Sequence, residues 1–161
     1  MEEKLLQAEE PEAEKNSPLR TRRGLNKSFA EFDVSLKGKN TFGKGEKLKS
    51  KKMIDQLFKE GKSVSTNGFT LVYLVKPLNA LYPAQAGFSV PKKFFKHAVD
   101  RNRIKRLMRE AYRLNKTLLY EKLAERKQQM AIMFVYKGKE LPKHEAVTKA
   151  VIHCMNRIIK T

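Results

Sequence analysis

The chain has one cysteine, Cys154, and no tryptophan. A lone cysteine excludes an intramolecular disulfide and is too few for a zinc site, and a reducing cytoplasm fits this usage. No run of about 20 apolar residues is present to span a bilayer. The N-terminal stretch MEEKLLQAEEPEAEK is acidic and lacks an apolar h-region, so it does not read as a signal peptide. Acids are scarce elsewhere. Against 35 Lys and Arg stand 17 Asp and Glu, a net charge of +18 in 161 residues. So much positive charge repels itself in a compact monomer, which points to a polyanionic partner, nucleic acid before membrane. A hydrophobic content of 40% suffices for a small core, and the length suits one domain plus a tail.

The charge is unevenly spread. Residues 1–17 carry six acids (Glu2, Glu3, Glu9, Glu10, Glu12, Glu14) and two lysines, a net of −4, which leaves +22 on the remainder. Residues 1–45 show no sustained period and read as a mostly disordered extension, acidic then basic, ahead of a domain at 46–161. The acidic tip either folds back on the basic domain or is simply solvated. Ser50 can cap a helix through Lys59 that ends at Gly61. Ser63–Thr66 and Phe69–Lys76 read as strands joined by an Asn67-Gly68 turn, and Ala84–Val90 as a third. A long helix follows, Ala98 to Glu121, fraying toward Lys127. MAIMFVY, 130–136, reads as a buried strand. A last helix runs from Lys143 to Ile159 with Ala146, Val147, Ala150, Val151, Cys154 and Ile158 on one stripe. This order gives a small α+β domain with a four-stranded sheet and no internal repeat.

Side chains alternate along a strand. Phe69, Leu71, Tyr73, Val75, Ala86, Phe88 and Val90 form one strongly apolar face, the core face. Thr70, Val72, Leu74, Lys76, Gln85, Gly87 and Ser89 form a milder, mixed face. That face is either ordinary solvated surface or a bed for an extended nucleic-acid strand.

Chemistry concentrates in 92–116, KKFFKHAVDRNRIKRLMREAYRLNK, with ten basic residues and two acids, Asp100 and Glu110. On a helix with Ile104 at zero, Leu107, Met108, Ala111, Leu114 and Leu118 fall within about 80° of it. Asn102, Lys105, Arg106, Arg109, Arg113 and Lys116 fall on the opposite side. Arg101/Lys105, Lys105/Arg109 and Arg109/Arg113 are like-charged i, i+4 pairs, each opposing the helix by roughly 0.2–0.5 kcal/mol. Asp100 in the first turn suits the helix dipole but offsets little of this. Phosphates explain such a stripe better than solvent does, and arginine's planar fork binds them bidentately.

Residues 87–113, GFSVPKKFFKHAVDRNRIKRLMREAYR, resemble the signature of the bacterial ribonuclease P protein component. That signature is a strand ending in a small residue and KK, then A-V-x-R-N-R-x-K-R-x-x-R on a helix. It stands here as Ala98, Val99, Arg101, Asn102, Arg103, Lys105, Arg106 and Arg109. FKEGKSV, 58–64, looks like the family's first helix and turn. The resemblance covers about residues 45–160 and leaves the acidic extension aside.

The resemblance implies an α-β sandwich with a four-stranded mixed sheet, three helices and a left-handed βαβ crossover, a ribosomal-protein-like fold. General rules alone favour a right-handed crossover. It implies a subunit of a ribonucleoprotein endonuclease that removes the 5′ leader of precursor tRNA. The catalytic centre and its magnesium ions are then expected mainly in the RNA subunit, with no catalytic residue and no metal ligand in this chain. The implied partners are ribonuclease P RNA and precursor tRNA, with no membrane and no obligate protein partner, in the cytoplasm. Lys93, Arg101, Asn102, Arg103, Lys105, Arg106 and Arg109 are expected on the catalytic RNA. Ile54, Phe58, Thr70, Val72, Ser89 and Lys92 are expected in a cleft for the leader. Apolar and aromatic side chains in a basic cleft suit single strands of any sequence, since stacking contributes about 1–3 kcal/mol per base.

Two other readings remain open. A protein-only nuclease needs clustered carboxylates or a histidine base, and His97, His144 and His153 lie far apart in sequence. A non-enzymatic binder of structured or ribosomal RNA with a similar fold would share the composition.

Overall fold

The computed structural model describes residues 40–78 and 80–160. Helix α1 spans Lys51–Glu60; the Ser50 side chain caps it, accepting from the Met53 amide at 3.4 Å. Strands β1 (Lys62–Thr66) and β2 (Phe69–Val75) pair antiparallel with Thr66 opposite Phe69. The two residues between them, Asn67 (φ 41°) and Gly68 (φ 78°), take the left-handed conformations that a tight hairpin requires. Strand β3 (Ala84–Ser89), helix α2 (Ala98–Glu125), strand β4 (Met130–Tyr136) and helix α3 (His144–Lys160) complete the domain.

The sheet order is β1-β2-β4-β3, with β4 antiparallel to β2 and parallel to β3. This is the expected mixed sheet with three helices. MAIMFVY is apolar throughout because it sits centrally, buried at all seven positions. Just before it, the buried Gln129 fixes the β2–β3 connection, its side-chain amide donating to the Ala80 (2.9 Å) and Tyr82 (3.3 Å) carbonyls.

Both faces of the sheet carry apolar packing. Phe69, Leu71, Tyr73, Ala86, Ile132 and Phe134 meet Ile104, Met108 and Tyr112 of α2 and Val147, Val151, Cys154 and Ile158 of α3. On the other face, Val72, Ala131, Met133 and Val135 meet Leu57 of α1 with Leu48 and Leu78. The mixed face is therefore neither an open solvated surface nor an open bed. α1 lies on it, and Val72 is buried there.

Three expectations shift. The boundary at residue 46 falls inside packed chain: residues 40–45 belong to the domain, with Phe42 edge-on to Phe88 and Tyr112 at 5.7 Å each. The rest of the anticipated extension lies outside the described residues. Second, Lys116 leaves the expected outer stripe and is 6% exposed, whereas Leu114 (44%) and Leu118 (49%) stay open. The reason is the segment 41–48, which covers the Tyr112–Lys116 side of α2 and rotates its buried face that way. Third, α2 runs to Glu125 and closes with Lys127 left-handed (φ 51°), the Gln128 amide reaching the Leu123 carbonyl at 2.9 Å and the Lys127 amide the Ala124 carbonyl at 3.0 Å. In α3, Ala146 is exposed and Met155 joins the buried stripe.

Candidate nucleic-acid interface

α2 begins after His97, whose side chain makes no capping bond. Arg101 does related work from inside the helix. Its guanidinium donates to the Phe95 carbonyl at 2.8 Å and the Lys96 carbonyl at 2.7 Å, holding the turn that leads into the helix. Asn102, Arg103, Arg106 and Arg109 are exposed and Lys105 is half-buried. Asn102, Arg106, Arg109 and Arg113 fall at i, i+4, i+7 and i+11, one stripe roughly 16 Å long at 1.5 Å per residue. The Arg109 guanidinium lies 6.0 Å from the Phe88 ring centroid, and the Lys93 ammonium 4.9 Å from that of Phe94.

The stripe is compensated at one end only. Arg113 bonds both carboxylate oxygens of Glu110, at 2.5 and 2.8 Å, and also the Asn40 carbonyl. This hydrogen-bonded pairing holds the Glu110 carboxyl below the usual range and raises the Arg113 guanidinium. Among the described residues, the cations of the first three turns of α2 have no carboxylate ion pair, and Arg103, Arg106 and Arg109 face solvent together. That arrangement costs helix stability and is offset when phosphates approach.

The second region lies on the α1 side of the sheet. The register places Thr70, Val135 and Ser89 in one cross-strand row, and Val72, Met133 and Gly87 in the next. The Thr70 hydroxyl is 3.1 Å from that of Ser65. Ile54 packs on Val72 and its neighbours, while Phe58, one turn further along the same helix face, is 53% exposed. Phe58 is thus not a core residue. Lys92 is exposed beyond Pro91, at the end of β3 that carries Ser89. Ile54 and Val72 thus pack together under α1, Thr70 is buried in the row that holds the half-buried Ser89, and Phe58 and Lys92 are exposed. Val72, beneath α1, presents no surface. Ser65, exposed on β1 with its hydroxyl beside that of Thr70, carries no signal in the sequence, whereas Met133 and Val135 are buried beneath α1.

Among the described residues, no three His, Cys, Asp or Glu side chains gather as a metal-binding group. His97, before α2, and His144 and His153, nine residues apart on α3, are exposed and do not gather. Among the described residues, no helix is long and apolar enough to cross a membrane.

The sequence profile of the Ribonuclease P family matches residues 42–159. The chain belongs to that family. Ribonuclease P is an endoribonuclease whose catalysis is carried by its RNA subunit, and the family supplies its protein subunit. The ribonuclease P protein component of Porphyromonas gingivalis is 40% identical over 120 residues, covering 73% of this chain and 88% of that protein. That of Chlorobaculum tepidum is 33% identical over 135 residues, covering 78% and 88%. The ribonuclease P fold also appears in solved structures. The protein from Thermotoga maritima aligns with a TM-score of 0.57 at 24% identity over 70% of this chain and 96% of its own. That from Staphylococcus aureus gives 0.57 at 20%, over 70% and 94%.

Proposed function

We propose that this chain grips ribonuclease P RNA through the exposed face of α2 and holds the 5′ leader of precursor tRNA along the part of the sheet face that α1 leaves uncovered, beside Phe58, Ser65 and Ser89. The observation that supports this most is the stripe on α2. Arg103, Arg106 and Arg109 face solvent with Asn102 at the N-terminal end of their stripe, and the nearest acid in line, Glu110, is committed to Arg113. Arg101 serves the fold as well as the RNA: its donors already hold two carbonyls, and its remaining N–H groups are left for a phosphate. Lys93 and Lys92 extend the positive surface from the start of α2 toward that uncovered face.

The uncovered face suits an unpaired strand. Phe58 offers an open ring for stacking, and Ser65 and Ser89 offer hydroxyls that accept or donate without selecting one base, with the buried Thr70 orienting Ser65 from behind. Magnesium ions in the holoenzyme are proposed to be held mainly by the RNA. This chain's part is to bind, orient and neutralise phosphates.

Reconstitution tests the reading. The pure protein is mixed with ribonuclease P RNA and precursor tRNA at low magnesium. Faster cleavage than RNA alone is the expected outcome. No enhancement overturns it, and cleavage by protein alone would favour a protein nuclease.

A further inference from the structure

Asn40 and Thr41 are the first described residues, and both are tied to the basic helix. Arg113 donates to the Asn40 carbonyl, and the Lys116 ammonium to the Thr41 carbonyl at 2.5 Å. The chain before residue 40 therefore joins the domain at the middle of α2. From Arg113 back to Arg103 is only about 15 Å along the helix at 1.5 Å per residue.

The chain that arrives at this point begins with its most acidic segment. Residues 1–17 carry six carboxylates against two lysines, and residues 18–39 separate them from the anchor. Those 22 residues reach roughly 70–80 Å when fully extended, several times the span required. Such a tether holds its end at an effective concentration on the order of millimolar. Within its reach lie Arg103, Arg106 and Arg109, exposed and without a carboxylate partner among the described residues. The charges are complementary and the repulsion within α2 is otherwise unrelieved.

We propose that residues 2–14 occupy the basic face of α2 in the RNA-free protein, as an internal polyanion that RNA displaces. This rests on the assignment of that face to RNA. The segment competes most effectively against binding driven by phosphate charge alone. Ribonuclease P RNA, with shape and further contacts to offer, displaces it at less relative cost. The acidic segment is thus a specificity filter. Its rival partner is the tether itself, which carries six basic residues and two acids.

Carbodiimide cross-linking of the full-length protein, read by mass spectrometry, joins carboxylates to lysines in direct contact. The expected links run from Glu9, Glu10, Glu12 or Glu14 to Lys105 and Lys93, and vanish when ribonuclease P RNA is added. Links confined to Lys27, Lys37 and Lys39 overturn the proposal. Links to Lys105 that persist at saturating RNA would uphold the contact and overturn the assignment of α2 to RNA, so the two failures are distinguishable. A full-length variant with Glu2→Gln, Glu3→Gln, Glu9→Gln, Glu10→Gln, Glu12→Gln and Glu14→Gln provides the second measurement. It should bind a 20-nucleotide oligouridylate about fivefold more tightly at 50 mM salt, the gap closing near 0.5 M as screening shortens. Equal affinity at low salt overturns the proposal.

Discussion

Lys116 and Glu46, 70 positions apart, meet inside the protein as a buried ion pair. The same carboxylate accepts from the Tyr120 hydroxyl at 2.8 Å and the Gly43 amide at 2.7 Å, and the Tyr112 hydroxyl lies 3.3 Å from that of Tyr120. Burial pushes both tyrosine hydroxyls far above their ordinary range, so they remain neutral donors. The network fastens the segment 40–48 to α2 and thereby sets which side of that helix stays exposed.

Removing one partner should therefore cost far more than removing both. Glu46→Ala leaves the Lys116 ammonium buried and should destabilise the domain by about 3–5 kcal/mol. The pair Glu46→Leu with Lys116→Met should lose much less. Urea titrations of the two variants check this, and equal losses would refute an energetic role for the pairing.

The cations of α2 divide into two kinds. Arg103→Ala with Arg106→Ala should leave the melting temperature unchanged and flatten the salt dependence of RNA binding by about 1.4–1.8 in log–log slope. Arg101→Ala should flatten it and also lower the melting temperature, because a charged donor to two carbonyls is lost at the start of the helix. Filter binding across salt concentrations, beside thermal melts, separates the two.

Phe58 is half-exposed beside the proposed leader surface. Phe58→Ala should change stability by less than about 0.5 kcal/mol, as surface substitutions do. It should weaken binding of leader-bearing precursor by about 1–3 kcal/mol while sparing mature tRNA. A large drop in melting temperature, or equal weakening for both RNAs, would assign the ring to the core instead.

Lys127 closes α2 in a left-handed conformation that glycine adopts without strain. Lys127→Gly should raise stability by roughly 0.5–1 kcal/mol, the relief exceeding the added freedom of the unfolded chain. Chemical denaturation measures it, and a loss of stability would show that the side chain contributes more than the strain costs.

The same positions show what was legible in the sequence. Asn67-Gly68, the Ser50 cap and the unbroken MAIMFVY run are local signals, and each predicted its element to within a residue. The spacing of Arg101 to Arg109 placed a basic face on one helix without any tertiary information. Lys116 was misread because its partner, Glu46, lies 70 residues upstream and no helical projection contains it. Leu114 and Leu118 projected onto the apolar side, yet the segment 41–48 turned that side away from the sheet. The row Thr70, Val135, Ser89 depends on register between three strands, which alternation within one strand does not specify. The end of α2 was placed early because lysine, not glycine, occupies its closing turn.

α2 is also the connection between two parallel neighbours. β3 and β4 pair Ala84 with Met130, and everything between them passes through 28 helical residues, among them the most self-repelling stretch of the chain. The parallel pairing of β4 with β3 thus closes through a helix whose own charges oppose it. On the proposed assignment of α2, phosphates that neutralise those charges would favour the folded domain as well as occupy its surface.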